Sequence, residues 1–221
     1  MARPIFITGT GTDIGKTHIL CTLLEAARKA GETCHVYKPV LSGFDMNDIP
    51  ATDTARLLQA NGRELTAETI KDTTPWRFKA PLSPDMAARR EKRELRLQAI
   101  ARWCGDRIHS EHPTLIEGAG GVMSPIAEDG LNLDLIRELD AHPVLVAGNY
   151  LGTLSHTLTA LRVLEGRSTV ILNPYPQGPV DPRDTAASLM RFAPRARVII
   201  YDAARPDRLL PVLKLDAAAP K

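Results

Sequence analysis

The strongest constraint in this sequence is a glycine-rich stretch between a β-type run and a helical pattern. Residues 9–17 read Gly-Thr-Gly-Thr-Asp-Ile-Gly-Lys-Thr; a β-type run at residues 4–8 precedes them, and a helical pattern at residues 18–30 follows. A glycine-rich turn before a helix N-terminus points several unpaired backbone N–H groups and the positive end of the helix dipole at one anion. Lys16 adds a full positive charge, and the Thr17 hydroxyl can ligate Mg²⁺. The stretch therefore predicts a phosphate-binding loop, or P-loop.

The spacing of this loop departs from the common form. Five residues separate Gly9 from Gly15, where the G-x-x-x-x-G-K-[ST] pattern has four. Partition-type and nitrogenase-reductase-type ATPases carry a signature lysine four residues before the glycine of Gly-Lys-[Ser/Thr], and Gly11 occupies that position here. A partition-type switch ATPase, which acts by binding partners, is therefore a less favoured alternative.

Composition fits one soluble domain with a filled core. The chain has 221 residues, of which 43% are hydrophobic and 24% charged, as in ordinary globular domains. The net charge of +2 is too small to indicate binding to nucleic acid or to a membrane. We find no cationic and then apolar leader and no apolar run near the ~20 residues that span a bilayer, so we expect a cytoplasmic protein. Cys21, Cys34 and Cys104 lack C-x-x-C spacing, which supports neither a disulfide framework nor a zinc site.

Short apolar runs alternate with longer segments of helical periodicity, as is typical of βαβ units and a parallel sheet. We expect an α/β fold in which residues 1–221 form a single P-loop domain, with a mostly parallel central sheet flanked by helices. Residues 72–84, with three prolines, predict an extended surface segment, and residues 203–221 predict a loosely packed tail. The predicted strands are residues 5–8, 34–40, 114–117, 143–147, 169–173 and 197–201, and the predicted helices are residues 16–30, 53–60, 95–108, 131–139, 153–164 and 183–192.

A lysine lies near the end of the second predicted strand. Lys38 follows Tyr37 and precedes Pro39, and Ser42 comes shortly after. The carboxyl ends of parallel strands bind ligands, and a lysine buried there is costly unless it faces an anion or a carboxylate. Lys38 is therefore either a second cation for the γ-phosphate and the group that attacks it, or a lysine that extends to solvent at the strand edge.

Two acidic residues are candidates for Mg²⁺, which prefers one or two carboxylates together with phosphate oxygens and water. Asp53 starts a helical pattern and on local grounds is typical of a helix cap. Glu117 ends an apolar strand and precedes Gly118-Ala119-Gly120-Gly121, an arrangement that places a Walker-B-like carboxylate beside the metal. The glycines let the backbone approach a phosphate or substrate closely.

Two later strand ends carry weaker signals. Leu151, Gly152 and Ser155 open a predicted helix whose N–H groups and serine hydroxyl suit a carboxylate ligand, although such a serine also suits a simple cap. Asn173 precedes Pro174, and its amide either reads a base edge or closes a turn. The residues alone leave these choices open.

Several separated segments together resemble the dethiobiotin synthetase family of biotin synthesis. The long-spaced P-loop at residues 8–17 is similar to that family's loop, residues 37–43 resemble its lysine segment, and residues 117–121 resemble its acidic glycine loop. The resemblance extends to about Asn173. Further agreement comes from Pro75, Phe78, Pro81, Ser83 and Pro84 in the proline-rich segment, and from Leu151, Gly152 and His156.

The resemblance implies a homodimeric, ATP- and Mg²⁺-dependent cyclo-ligase with its substrate site near the dimer interface. Such an enzyme converts 7,8-diaminononanoate, CO₂ and ATP into dethiobiotin, ADP and phosphate through a carbamate and a carbamic-phosphoric anhydride. The resemblance implies catalytic roles for Lys38, Lys16 and Thr12, and Mg²⁺ ligation by Thr17, Asp53 and Glu117. The nucleotide contacts that it implies are Asp13, Ile14, Gly15, Lys16, Thr17, His18, Asp53, Glu117, Gly118, Ala119, Gly120, Asn173 and Pro174, and the substrate contacts are Thr12, Lys38, Ser42, Gly118, Leu151, Gly152 and Ser155.

Some positions depart from the family's pattern. Asp13 stands where the family often has glutamate, Asp85 where a histidine commonly follows Ser-Pro, and Ser155 where an asparagine can lie. The family's Pro-Trp adenine loop is not visible in residues 201–206, so relaxed nucleotide selectivity is a further expectation.

Two other enzyme classes remain as alternatives. One is a related P-loop ligase that forms an amide or a carbamate. The other is a small-molecule kinase, which needs an arginine-rich lid; the dense arginine cluster at residues 89–96 carries interleaved acids and is expected to be helical.

Overall fold

Strands and helices alternate along the protein, in a computed structural model that describes residues 3–165, 168–175 and 180–218. The strands in chain order are β1 (Ile5–Gly9), β2 (His35–Tyr37), β3 (Val40–Ser42), β4 (Trp76–Phe78), β5 (Thr114–Glu117), β6 (Pro125–Ala127), β7 (Gly130–Leu131), β8 (His142–Gly148), β9 (Thr169–Asn173) and β10 (Arg197–Ile200). The α-helices are α1 (Lys16–Lys29), α2 (Asp53–Ala60), α3 (Ala67–Thr73), α4 (Pro84–Arg90), α5 (Leu97–Gly105), α6 (Asn132–Glu138), α7 (Thr153–Val163) and α8 (Pro182–Phe192). Two 3₁₀ helices span Ile49–Ala51 and Pro206–Ala218.

The central sheet is parallel, and its six strands follow the order β10-β9-β8-β1-β5-β2. Two small sheets, β3 with β4 and β6 with β7, lie apart from it. Successive residues of a strand point to opposite faces, so Ile5 and Ile7 pack on one face of the sheet and Phe6 on the other. Helices α1 and α2 and the second 3₁₀ helix cover the Ile5 face, and α4 to α8 contribute to the Phe6 face. The predicted α/β fold with a parallel sheet between helices is confirmed.

The prediction of one strand at residues 34–40 is wrong in its second half. β2 ends at Tyr37, and β3 begins at Val40 and pairs in parallel with β4 in a separate sheet. Pro39, between them, has no N–H for a strand ladder and has a fixed φ angle. The chain therefore leaves the central sheet at Lys38, and this departure places the lysine at the sheet's carboxyl edge.

The prediction of an exposed extended segment at residues 72–84 is also wrong. The segment holds the end of α3, the whole of β4 and the start of α4, and Phe78 is fully buried in the core of the Phe6 face. The prolines lie at element boundaries, because Pro75 directly precedes β4 and Pro84 is the first residue of α4. They mark starts and turns of packed elements, which a count of prolines cannot distinguish from a loop.

The expected loose tail packs firmly over most of its described length. Leu209, Val212 and Leu213 of the second 3₁₀ helix are buried in the same core layer as α1. Leu209 and Val212 are three residues apart and so align on one side of a helix with three residues per turn, a pattern that composition alone did not indicate. Residues 219–221 lie outside the described residues.

Smaller differences concern the middle of the chain. Helix α5 is shorter at both ends than the predicted helix at residues 95–108. The arginine-rich stretch at residues 89–96 contains the end of α4 and the turn after it, so it is not a continuous helix. Cys21, Cys34 and Cys104 are all free thiols. None of the helices in the described residues is both long and apolar enough to span a membrane.

The topology brings three chain segments to one edge of the sheet. β1, β5 and β2 are adjacent and parallel, so their carboxyl ends lie side by side. β1 leads into the P-loop, β5 ends at Glu117, and β2 directly precedes Lys38. The three strongest motifs of the sequence therefore meet at a single place.

We predict that Leu209→Ala destabilises the protein by about 2–5 kcal/mol, because it removes a fully buried leucine side chain between the 3₁₀ helix and α1. Chemical denaturation measures the change. Lys214→Ala, at an exposed position of the same helix, is the control and should change stability by less than about 0.5 kcal/mol. Equal, small effects of the two substitutions would show that the tail does not contribute to the core.

Candidate active site

The P-loop joins β1 to α1. Its last turn has a backbone conformation that glycine adopts more easily than any other residue. Gly15 has a φ angle of +97°, which lies in the left-handed region that side chains disfavour. A Cβ atom at this position would lie 2.4 Å from Asn173 Nδ2. Asn173 ends β9 and donates this amide to the carbonyl of Ile14 at 3.2 Å. The last two residues of the loop before Lys16 are therefore fixed by a strand that is distant in sequence.

Lys16 starts α1 and is buried on the wall of a cavity. Its Nζ donates to the carbonyl of Gly11 at 3.1 Å, so the loop's own backbone holds the ammonium group. Burial lowers the pKa of Lys16, although the negative charge of Glu117 acts in the opposite direction. An anion in the cavity would stabilise this partly desolvated cation.

Lys38 contacts two carboxylates. Its Nζ lies 2.5 Å from Glu117 Oε1 and 3.0 Å from Asp53 Oδ2, and the Thr17 hydroxyl donates to the same Glu117 oxygen at 2.7 Å. The side chain of Glu117 is fully buried and that of Lys38 is 4% exposed. The contact excludes the alternative in which Lys38 extends to solvent, because the residue faces carboxylates inside the protein.

The two carboxylates also set the protonation of this cluster. Burial alone lowers the pKa of Lys38, but the attraction of Glu117 and Asp53 outweighs it and raises the pKa above its ordinary value. Burial likewise raises the pKa of Asp53, and the neighbouring Lys38 ammonium outweighs it and lowers that pKa. Both shifts favour the charged form of the Lys38 ammonium and the ionised form of the Asp53 carboxylate.

A cavity of about 690 Å³ opens beside these groups. Its volume suits more than one small ligand, since ordinary ligand pockets hold about 300–1,000 Å³. The predicted site residues on its wall are Thr12, Asp13, Gly15, Lys16, Thr17, His18, Lys38, Ser42, Asp53, Glu117, Ala119 and Gly120. The wall also includes residues to which the sequence analysis gave no role: Val40, Leu41, Arg56, Pro81, Leu82, Ser83, Pro84 and Ser124.

The glycine loop after Glu117 depends on a residue that the sequence analysis missed. Asn132 is buried at the start of α6, and its Nδ2 donates to the carbonyls of Ala119 at 2.6 Å and Gly121 at 2.8 Å. Gly118 is needed for this packing, because a Cβ there would lie 2.5 Å from Asn132 Oδ1. Gly118 therefore faces Asn132 and is not on the cavity wall. A buried asparagine at a helix start has no distinct sequence signal.

Besides Gly118, three more predicted substrate contacts lie outside the cavity wall. Leu151, Gly152 and Ser155 form the exposed start of α7, where Leu151 is 86% exposed and Gly152 has a φ angle of +95°. Tyr150 and His156 share a hydrogen bond of 2.8 Å beside them. The structure therefore does not bring these residues to the Lys38 site within one chain.

A second cavity, of about 630 Å³, is lined in part by residues that follow β9 and β10. Pro174, Tyr175 and Tyr201 are on its wall, and the Tyr201 hydroxyl shares a hydrogen bond of 3.0 Å with His18 Nε2 at the start of α1. The rings of Tyr175 and Tyr201 meet edge to face. Neither tyrosine was singled out by the sequence analysis, because an isolated tyrosine after a strand is common in cores and surfaces alike.

Comparison with known proteins assigns the chain to a family. The family model of the AAA domain matches residues 3–198. The ATP-dependent dethiobiotin synthetase of Caulobacter vibrioides is 47% identical over 171 residues, which cover 76% of this chain and 77% of the relative. That of Methylobacterium nodulans is 40% identical over 199 residues, which cover 86% and 88%. The chain belongs to the dethiobiotin synthetase family.

A solved structure supports the fold alone. The MinC:MinD cell division complex of Aquifex aeolicus matches with a TM-score of 0.52 and 11% identity, over 96% of this chain and 86% of that chain. Identity this low carries no functional inference. The dethiobiotin synthetase family, and not the switch ATPases, is therefore the group to which the sequence relationships point.

Asp13 and Asp85, two residues that depart from the dethiobiotin synthetase pattern, lie in different surroundings. Asp13 lies on the wall of the first cavity and has a φ angle of +56°, a conformation that aspartate adopts more easily than most residues. Asp85 lies on α4 with one carboxylate oxygen 4.0 Å from Arg89. Its other oxygen is buried without a hydrogen-bond partner in the described part of the chain, and Asp85 is not on the cavity wall.

We predict that Gly15→Ala destabilises the protein by about 1–3 kcal/mol and weakens nucleotide binding, because alanine is strained at this φ angle and its Cβ would displace Asn173. Denaturation and calorimetric titration with ATP measure the two effects. Gly11→Ala is the matched control, since a Cβ at Gly11 meets no atom within 4 Å. If the two variants behave alike, the Asn173 contact does not shape the loop.

Proposed function

We propose that this protein is an ATP-dependent dethiobiotin synthetase, a cyclo-ligase that carboxylates 7,8-diaminononanoate and closes its ring. The observation that carries the proposal is the meeting of Lys38, Glu117 and Asp53 with the P-loop around one cavity. Membership of the family supports the same activity. The cavity's volume of about 690 Å³ supports a site that holds the triphosphate end of ATP and the diamine together.

The reaction needs charge stabilisation on oxygen at each step. One amine attacks CO₂ and loses a proton to give a carbamate. A carbamate oxygen then attacks the γ-phosphorus of ATP, and ADP leaves, which gives the carbamic-phosphoric anhydride. The second amine attacks the carbonyl carbon, loses a proton and expels phosphate as the ring closes. Positioned cations and N–H groups supply most of what such phosphoryl transfer requires.

Lys16 and Lys38 are the cations for these steps. Lys16, at the start of α1, holds phosphate oxygens together with the backbone N–H groups of the loop. Lys38 lies on the same wall, and it neutralises charge on the carbamate and the transferring phosphate. Thr12 and Ser42 provide hydroxyls for the diamine or its carbamate. No covalent protein nucleophile takes part.

The residues present fit Mg²⁺. Thr17 Oγ1, Asp53 and Glu117 offer oxygen ligands of the kind that Mg²⁺ prefers. Glu117 Oε2 is buried and has no hydrogen-bond partner in the described residues, so it is free to serve a cation. When bound, Mg²⁺ neutralises charge on the phosphate oxygens.

The base of the nucleotide fits the second cavity. Asn173 and Pro174 lie between the P-loop and this cavity, so a nucleotide whose phosphates occupy the P-loop can direct its base towards them. Both ends of the Asn173 amide already bond to the protein, to Ile14 and to Tyr175. We infer that the Tyr175 and Tyr201 rings supply apolar contact with adenine, and that base selectivity is relaxed. An enzyme that consumes ATP in this way fits the cytoplasm.

A homodimer accounts for the residues at the start of α7. Leu151 is a large apolar side chain in an exposed position, and Gly152 and Ser155 lie away from the cavity of their own chain. In a dimer of two-fold symmetry, each subunit offers the same surface to the other. We propose that these residues bind the substrate carboxylate at the partner subunit's site.

Product formation tests the function directly. We expect the protein to form dethiobiotin and to release phosphate from ATP only when 7,8-diaminononanoate and bicarbonate are both present. Lys38→Ala should lower both rates by about 10²–10³, because it removes one stabilising group at the developing charge. Mass spectrometry and a phosphate assay measure them.

The control for Lys38→Ala is Lys71→Ala, at an exposed position on α3, which should leave both rates unchanged. Phosphate release that does not need the diamine and survives in Lys38→Ala would contradict the proposed mechanism and favour a switch ATPase. A carboxylated product from another amine would favour a related ligase.

The dimer proposal predicts recovery of activity when two inactive variants are mixed. Lys38→Ala removes the cation, and Ser155→Glu repels the substrate carboxylate. After subunit exchange, a hybrid dimer has one intact site if Ser155 serves the partner subunit, so activity should return to about a quarter of that of the wild type. No recovery in a mixture that does exchange subunits would show that Ser155 and Lys38 act within the same chain, and full activity of Ser155→Glu alone would separate Ser155 from function.

A further inference from the structure

Lys38 contacts both carboxylates that the proposed metal site would use. Its ammonium contacts Glu117 Oε1 at 2.5 Å and Asp53 Oδ2 at 3.0 Å. The Thr17 hydroxyl also bonds to Glu117 Oε1. All three proposed Mg²⁺ ligands, Thr17, Asp53 and Glu117, are thus within one cluster whose positive charge comes from Lys38.

Two cations cannot share these two carboxylates without strong repulsion, even though Glu117 Oε2 has no hydrogen-bond partner in the described residues. Screening is weak here, because the Glu117 side chain is fully buried and only 4% of the Lys38 side chain is exposed. Unit charges about 4 Å apart already repel by several kcal/mol at the effective dielectric constant of a protein, and a divalent ion doubles this. Conversely, buried carboxylates without any cation are costly. The two carboxylates, Asp53 and Glu117, therefore favour one cation at a time.

Lys16 differs from Lys38 in this respect. It is also buried on the cavity wall, but its Nζ bonds to the Gly11 carbonyl, and neither Asp53 nor Glu117 forms an ion pair with it in the described residues. It can remain in place whichever cation occupies the carboxylates. The cavity wall therefore carries one lysine, Lys16, that is not held by the carboxylates, and one, Lys38, that would compete with a metal ion for them.

We propose that Lys38 and Mg²⁺ exchange at Asp53 and Glu117, so that metal binding releases the Lys38 ammonium into the cavity. The proposal rests on the proposed function, in which Lys38 serves the carbamate and the transferring phosphate. Lys38 stabilises the carboxylates before the metal binds and reaches the reacting oxygens only after it has bound. The triphosphate favours the exchange, because its oxygens offer the released ammonium new partners.

The exchange has a consequence that separates it from an ordinary supporting role. A residue that helps to build a metal site weakens metal binding when it is removed. A competing cation does the opposite. Removal of Lys38 should therefore strengthen binding of a divalent ion even though the same change abolishes turnover.

Electron paramagnetic resonance titration with Mn²⁺ as the probe, without nucleotide, tests this on the full-length protein. Lys38→Met should bind Mn²⁺ at least about tenfold more tightly than the wild type, because it removes a contacting positive charge. Lys16→Met is the matched control; it removes a nearby charge without freeing the carboxylates and should give a smaller gain. Equal or weaker binding by Lys38→Met, an equal gain in both variants, or no Mn²⁺ binding by Lys38→Met at millimolar concentration would overturn the proposal.

A second measurement needs no variant, in case Lys38→Met does not fold. In a crystal structure of the wild-type protein with Mn²⁺ and ATP, Lys38 Nζ should lie beyond hydrogen-bond distance of Glu117 Oε1 and point towards the phosphates. Retention of that contact with Mn²⁺ bound to Asp53 and Glu117 would refute the exchange. Dethiobiotin formation is scored separately: product without the gain in Mn²⁺ affinity defeats the exchange alone, and the gain without product defeats the proposed function alone.

Discussion

The buried contact among Lys38, Glu117 and Asp53 is the interaction on which the rest of the site depends. Its three members come from the end of β2, the end of β5 and the start of α2. Lys38 forms an ion pair with both carboxylates, so its loss would leave both of them without this partner in a largely buried place. The register of β2 on β5, the turn at Pro39 and the position of α2 are thus held to a common geometry by electrostatics as well as by packing.

Local and periodic signals predicted the central sheet and the principal motifs. Strands β1, β5, β8, β9 and β10, the P-loop and the acidic glycine loop all have signatures that lie within a few residues, and a parallel sheet necessarily brings the ends of adjacent strands together. The Lys38 and Glu117 motifs could therefore be assigned to one site before any contact was known. Asp53 could not be assigned in this way, because a helix-capping aspartate and a metal-binding aspartate look alike in sequence.

The features that escaped prediction depend on contacts between distant residues. Asn132 holds the glycine loop through hydrogen bonds to the carbonyl groups of residues 119 and 121. The residues next to Asn132 in sequence do not indicate this role. The second 3₁₀ helix packs on α1 from the other end of the chain, although its composition resembles that of a loose tail. Pro39 and Pro75 were visible, but their effect, a separate sheet of β3 and β4, follows only from which strands pair. In each case the deciding partner is fixed by tertiary structure and not by local preference.

The P-loop contacts the acidic glycine loop that follows Glu117. Val122 donates its N–H to the Gly9 carbonyl at 3.1 Å, and a Cβ at Gly121 would lie 3.2 Å from the same carbonyl. The phosphate loop and the acidic glycine loop therefore press against each other, and Thr12 lies close to Gly120. Thr12, in the lengthened part of the loop, is on the cavity wall beside this contact.

The space around Gly11 shows that the missing signature lysine has no steric cause. A Cβ at this position would meet no atom within 4 Å, so the fold would accept a side chain there. In the partition-type ATPases the second lysine comes from the loop, whereas here the second cation, Lys38, comes from the end of a neighbouring strand within the same chain. A cation supplied in this way is held by Asp53 and Glu117, so in the proposed exchange its position depends on metal binding to those carboxylates. A lysine on the loop would lack that dependence, and the difference connects the unusual loop to the proposed metal site.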